Sequence, residues 1–349
     1  MNNCSMKSRL SQKTNPTQSD PRADAARRID TALAKARRVL VLSHVDPDGD
    51  AIGTQLAMAE YLRSLGKEVV LLRESEVPDK YRFLHGAKDI PLIGELPSQT
   101  PFDTAVVLEC PTPARMGRGA ELIGDATTVI NIDHHPANQL DSDVDWLDPG
   151  RSSVGEMLFE FFDEVGFQIS PEIAEQLYTA ILTDTGRFRF SSTSPRTMEI
   201  GGSLIRAGAD PKKITDLVYH CLPPEAMKLL GRVLNGIEYH DGSRICILTL
   251  TRQMLRETQA EMADSEGLVD FTLYGRGVEI GALLKEVEPD VTKASLRSRD
   301  GTNVAELAAT FGGGGHRNAA GCTIQMPLDE ARRELLGMFR GMPGRSESD

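Results

Sequence analysis

Three short stretches of this chain concentrate side chains able to hold metal ions. The run His44, Val45, Asp46, Pro47, Asp48, Gly49, Asp50 has a His-x3-Asp-x-Asp spacing, Asp133-His134-His135 is a compact acid-imidazole triplet, and Glu109 lies between them in sequence. Oxygen ligands with a few imidazoles suit magnesium or manganese, and manganese gains as nitrogen ligands increase. Ions of this kind activate water and neutralise phosphoryl charge. Metal-assisted hydrolysis is the chemistry these residue types point to.

Each stretch alone has a plainer reading. Asp46 to Asp50 would be an ordinary polar turn, and paired histidines at a strand end are often surface residues. A calcium loop is excluded by count, since its sixth and twelfth places, which require glycine and glutamate, hold Ala51 and Ala57. Asp184, in Leu182-Thr183-Asp184-Thr185-Gly186, reads equally as the solvated end of a helix. The glycine run Gly312 to Gly315 with His316 resembles a linker, yet Ala305, Leu307, Ala308 and Phe311 precede it at helical spacing and Ala319, Ala320 and Gly321 follow. That framing predicts a backbone turn that a substrate can approach closely, with His316 as a polar handle. A Walker phosphate loop is ruled out because no Gly-Lys-Ser/Thr follows.

What makes the set coherent is where the elements put it. From Arg38 to Thr185, short apolar runs alternate with helical patterns, the signature of a mostly parallel sheet. Strands are expected at Val39 to Ser43, Val69 to Leu72, Ala105 to Leu108 and Val129 to Ile132, with a helix over Ala51 to Leu65. Three of these strands end at His44, Glu109 and Asp133, and open α/β sheets bind ligands at the carboxyl ends of their strands. Ser170-Pro171, Ser194-Pro195 and Asp210-Pro211 announce helix starts. A second α/β pattern follows, with strands at Ile245 to Leu250, Val278 to Lys285, Lys293 to Ser298 and Gly321 to Gln325, and helices over Asn303 to Phe311 and Asp329 to Arg340. The predicted fold is therefore α/β: a parallel-sheet domain at 26–190, a helical connector at 191–240 and a smaller α/β domain at 241–345, after a disordered tail at 1–25.

Composition narrows the partners. At 349 residues the chain has length for two cores. No apolar stretch approaches the roughly 20 residues of a membrane span, and the first residues lack the pattern of a secretory signal. Five scattered cysteines without C-x-x-C spacing argue for a reducing cytoplasm. A net charge of −12 disfavours long duplex nucleic acid, which binds through many basic contacts. Small anionic substrates stay compatible. Tyr81, Phe83, Tyr274 and Phe311 are candidate base-stacking residues, although each is more often core.

Together, His44-x3-Asp48-x-Asp50, Asp133-His134-His135, Thr183-Asp184-Thr185-Gly186 and Gly312 to His316 resemble the DHH phosphoesterase superfamily, in its two-domain branch with a DHH-associated domain. The resemblance spans about residues 38 to 335. It implies an enzyme, a phosphoric ester hydrolase that degrades short oligonucleotides (nanoRNA, dinucleotides) to nucleoside monophosphates and acts on 3'-phosphoadenosine 5'-phosphate, with the site in the cleft between the domains. It implies two manganese ions, with magnesium as the alternative. His44, Asp48 and Glu109 would hold one ion; Asp50, His134, Asp184 and the bridging Glu109 the other. His135 would sit beside them on the scissile phosphate, with Asp133 supporting the histidines from behind. Arg297, Ser298, Gly313, Gly314, Gly315 and His316 would bind substrate, and relatives suggest a homodimer. The chain departs from the family at Glu109, where aspartate is usual; the extra methylene moves the carboxylate by about an ångström and bears on metal spacing. Rival readings are a linear or cyclic dinucleotide phosphodiesterase, a RecJ-like single-strand exonuclease, a manganese pyrophosphatase, and a nucleotide-binding regulator with an impaired centre.

Overall fold

The computed structural model describes residues 20–95, 101–299 and 302–342, with the backbone alone for His316. The chain divides into two units between His220 and Cys221. That division falls inside the helical connector expected at 191–240, so its first helices belong to the first unit and its last helix to the second.

The first unit starts with α1 (Pro21–Lys35), capped by the Asp20 side chain on Arg22 N. The helix begins inside the stretch read as a tail to residue 25, because Ala25, Ala26, Ile29 and Leu33 give it a buried stripe that its dense charges obscure in sequence. Residues 1–19 lie outside the described part. Then follow β1 (Arg38–Leu42), α2 (Gly49–Ser64), β2 (Glu68–Leu71), β3 (Thr104–Leu108), β4 (Thr128–Asp133) and β5 (Val144–Leu147). The strands form one parallel sheet in the order β2-β1-β3-β4-β5. Runs such as Val39 to Leu42 and Ala105 to Leu108 are apolar throughout because both sheet faces are covered.

Four helices complete the unit: α3 (Val154–Glu164), α4 (Pro171–Asp184), α5 (Pro195–Ala207) and α6 (Pro211–Tyr219). The three proline-marked starts are real caps, with Ser170, Ser194 and Asp210 accepting from the amides of Ile173, Thr197 and Lys213. Helices α2, α3 and α4 meet closely. A Cβ on Gly49 would fall 2.4 Å from Thr183 Oγ1, and one on Gly155 would fall 2.6 Å from Ala180 Cβ. Glycine at these two points lets the ends of α2, α3 and α4 converge.

The second unit contains α7 (Pro224–Leu234), β6 (Glu238–His240), β7 (Ile245–Leu250), α8 (Arg252–Thr258), β8 (Ile280–Glu288), β9 (Val291–Ser298), α9 (Val304–Thr310), β10 (Gly314–His316), β11 (Ala319–Ile324) and α10 (Leu328–Gly341). Its mixed sheet runs β10-β11-β9-β8-β7-β6. Alternation separates the faces: Ile280, Ala282, Leu284, Ala294 and Leu296 pack under α9 and α10, while Leu248, Leu250 and Leu283 pack against α7 and the 3-10 segment Leu268–Tyr274. No helix among the described residues is long and apolar enough to cross a membrane.

Candidate metal centre

The sheet order reverses direction between β1 and β3, and the chemistry collects at the carboxyl ends of β1, β3 and β4. Glu109 follows β3 in a left-handed conformation, φ 54°. Glutamate rarely adopts that region, which costs of order 1 kcal/mol and persists where surrounding structure enforces it. Here it turns a fully desolvated carboxylate toward the histidines.

His134 Nε2 lies 3.3 Å from Glu109 Oε2 and 3.3 Å from Asp184 Oδ2. His135 Nδ1 lies 3.6 Å from Glu109 Oε1 and 2.8 Å from Asp133 Oδ1. Ligand atoms of Glu109, His134 and His135 fall within 4.8 Å of one another, as do those of Asp50, His134 and Asp184. Asp184, the last residue of α4, is thus part of the centre and does not point to solvent. Asp133 sits behind, its Oδ1 accepting from His135 and its Oδ2 from Asn138 Nδ2 at 2.6 Å.

Asp50 arrives from the first turn of α2, with its carboxylate across the start of α3. Its oxygens accept from Val154 N at 2.7 Å and Gly155 N at 2.8 Å. His44 and Asp48 stand slightly apart from the tight groups, 3.9 Å from each other. Asp48 also caps α2 through Ala51 N. His44 Nδ1 faces the carbonyl of Val45 at 2.7 Å, leaving Nε2 as the ligand atom.

Burial raises the Asp50 carboxyl well above the usual range, and Glu109 and Asp184 add to it. Burial likewise lifts Asp184 to about 7. At His134, burial, which disfavours the cation, is outweighed by Glu109 and Asp184, and its pKa is raised. At Glu109, burial is outweighed by His134 and His135, and its pKa is lowered. A proton on His134 and a divalent cation satisfy the same carboxylates. Glu109 Oε2 and His134 Nε2 are buried facing each other at 3.3 Å, two donor atoms that one divalent cation would satisfy together. The donor set therefore fits a divalent metal.

Comparison with known proteins bears on the whole chain. The DHH family N-terminal domain matches residues 38–181 and the DHHA1 domain residues 243–340. A Thermus thermophilus bifunctional oligoribonuclease and PAP phosphatase NrnA is 34% identical over 303 residues, covering 86% of this chain and 89% of the relative. This chain belongs to the DHH family. The Bacillus subtilis protein of the same name is 26% identical over 86% of this chain and 93% of its own length. An exopolyphosphatase-related protein of Bacteroides fragilis superposes with a TM-score of 0.86 at 27% identity, over 94% of this chain and 98% of that one. The α/β architecture and the phosphoesterase class expected from the motifs both stand.

Within this DHH chain the second unit departs from expectation at the glycine run. Gly314 to His316 is an edge strand paired with Gly321 to Ala319. A Cβ on Gly313 would meet Gly321 O at 2.1 Å and one on Gly315 would meet Ala319 O at 2.5 Å. These glycines admit the neighbouring backbone, where a ligand turn had been expected. Ser298 is buried on the opposite face from Arg297, and its hydroxyl donates to Thr302 O at 2.7 Å. Arg297 donates to Asp270 Oδ1 at 2.8 Å. The side chain of His316 lies outside the described part. Of the stacking candidates, Tyr81 is buried, Phe83 and Phe311 pack on the cores, and Tyr274 is 58% exposed.

Two groups at the centre escaped the sequence reading. Arg151 O accepts from His134 Nδ1 at 3.1 Å. The Arg151 guanidinium is buried among Asp148, Glu156 and Glu160, and Glu156 also accepts from Ser152 and Thr197. The sequence signal was there, since Ser153-x-x-Glu156 before an apolar run is a capping-box pattern. Ser153 does cap α3. Glu156 reaches back to Arg151 instead of closing the box. Asn138, bonded to Asp133 and to Asn131, offered no signal beyond its loop position.

Proposed function

We propose that this enzyme hydrolyses short single-stranded oligonucleotides to nucleoside monophosphates and 3'-phosphoadenosine 5'-phosphate to AMP, using two manganese ions, with magnesium as a substitute. The observation that carries the reading is the buried convergence of Glu109, His134, Asp184 and Asp50, in a chain similar along most of its length to an oligoribonuclease and PAP phosphatase. His44, Asp48 and Glu109 would hold one ion, and Asp50, His134, Asp184 and the shared Glu109 the other. Held there, the cations supply Lewis acidity toward water and the phosphoryl oxygens.

The remaining steps belong to the chain's own groups. His135 Nδ1–H donates to Asp133 Oδ1, which fixes the ring and leaves Nε2 for the scissile phosphate. Its pKa is raised: burial is outweighed by the Asp133 hydrogen bond and by Glu109. The shift favours the protonated ring, whose Nε2 would donate to a phosphoryl oxygen as charge builds there. Asn138 holds the second oxygen of Asp133. Arg297, steadied by Asp270, would grip a substrate phosphate, and Ser298 and Gly313 to Gly315 shape the backbone around it.

The test is incubation of the purified chain and manganese with a five-nucleotide RNA, 3'-phosphoadenosine 5'-phosphate and pyrophosphate in parallel. Monophosphates and AMP are expected, with no orthophosphate from pyrophosphate. Undiminished turnover in His134→Ala or Asp184→Ala would sink the assignment.

A further inference from the structure

The loop that carries His44 and Asp48 is held from outside as well as by its own turn. Val45 N donates to Arg115 O at 2.7 Å, and Asp46, left-handed at φ 53°, donates its amide to Ser75 Oγ at 3.1 Å. The segment Pro113–Leu122 closes on the same place at Gly117, where φ is 59°. A Cβ there would fall 2.9 Å from Val45 Cγ1 and 3.1 Å from Glu74 Cγ. Glu74, just beyond β2, is thus packed beside the His44 loop, and Arg118 Nε donates to its Oε1 at 2.9 Å.

The other oxygen of Glu74 is the unusual atom. Glu74 Oε2 is buried without a hydrogen-bond partner among the described residues, and the same holds for Ser43 Oγ and Gln55 Oε1. Ser43 is 6% and Gln55 2% exposed. Each buried polar atom left unpaired costs about 1–3 kcal/mol, so three at one place require a common explanation. They do share a place: Ser43, Gln55 and Glu74 line one cavity of about 10 Å³, with His44 and Pro47 in its wall. That is room for one water.

The hydrogen-bonding capacities decide what fills it. Ser43 supplies a hydroxyl proton, while Gln55 Oε1 and Glu74 Oε2 only accept. One water accepts from the first and donates to the other two, which makes the three bonds usual for a buried water. A metal cation would use the three oxygens but leave the Ser43 proton unpaired. It would also face Arg73 in the cavity wall and Arg118 on the far oxygen of Glu74.

We propose that Glu74 is a positioning residue for His44, acting through one buried water that it shares with Ser43 and Gln55. The water ties the end of β1, the second turn of α2 and the segment after β2 together behind the His44 loop. The effect on metal rests on the two-manganese reading above; the water bridge does not.

The full chain is crystallised as parent, Glu74→Leu and Glu74→Gln, with a thallium soak of the parent, and manganese is titrated calorimetrically. A single solvent peak is expected about 2.8 Å from all three oxygens, without anomalous signal from thallium. In Glu74→Leu the His44 ring should shift by about 1 Å, and one manganese ion should bind about tenfold more weakly while the other is unchanged. Glu74→Gln, which keeps an oxygen on the water, should recover most of both. Gln55→Met removes a different acceptor at similar volume and should act in the same direction. A thallium peak, or direct hydrogen bonds among the three side chains, overturns the water. An unmoved His44 ring in both Glu74→Leu and Gln55→Met, or equal weakening of both ions, overturns the positioning role. A parent that binds no manganese overturns the two-metal reading, and the solvent peak and the His44 shift still decide the bridge.

Discussion

His134 Nδ1 and the carbonyl oxygen of Arg151 are 3.1 Å apart, and because a carbonyl only accepts, the imidazole proton must sit on Nδ1 and Nε2 must face the carboxylates. The tautomer of His134 is thus set by a residue whose own side chain is locked in a buried ion cluster.

Glu156→Ala removes the most buried member of that cluster and leaves Arg151 undercompensated. Urea unfolding is expected to show a loss of about 3 kcal/mol, and calorimetry a weakening of manganese binding of about tenfold. Unchanged manganese affinity in the destabilised variant would separate the cluster from the centre.

Asn138→Ala frees one oxygen of Asp133 and loosens the ring of His135. The expected outcome is a fall in kcat of about tenfold with KM and bound manganese retained. A proportional loss of metal would instead make Asn138 a support of the ligands.

Glu109→Asp places a residue that tolerates the left-handed region better at φ 54°, so the melting temperature without added metal should rise by about 1–3 °C. Turnover should persist, since aspartate supplies the same carboxylate. Abolished turnover would show that the centre has been rebuilt around the longer side chain.

Because Glu109 and Asp184 raise the His134 pKa, manganese held there as proposed would compete with a proton. Its affinity should therefore weaken as pH falls below the raised His134 pKa, by about tenfold per unit for each proton released. Calorimetry in two buffers of different ionisation enthalpy counts the protons; a heat independent of buffer would contradict the assignment.

Asp103 gives a separate pH signature. Burial would raise its pKa, but the Arg38 and Arg37 amides and the Thr104 hydroxyl outweigh it, and the pKa is lowered. A depressed folded pKa contributes stability above the unfolded value near 3.9, and that stability is lost as pH falls through the folded value. Because the carboxylate is largely exposed, the effect is no more than about 1 kcal/mol. Asp103→Asn should be less stable than the parent at pH 7, with the gap closing at acidic pH.

Period and punctuation made most strands and helices legible: β7 starts and ends where the apolar run Ile245 to Leu250 does, and the proline-marked helices start at their caps. Helix α1 escaped because half of its short buried stripe is alanine, set among charges. Strand β10 escaped because glycine has low strand propensity, and its pairing depends on backbone approach to β11. Glu109 was readable as a candidate because the end of β3 is fixed by local pattern. Arg151 was not, because it acts through a main-chain oxygen, which no residue type announces.

The double use of Asp50 has an evolutionary consequence. The same carboxylate faces the metal centre and tethers the first amides of α3 to α2, so no substitution removes the ligand without also unseating a helix. A descendant that abandoned catalysis would shed His135 or His44 early and keep Asp50 long afterwards, a fossil of the reaction preserved by folding.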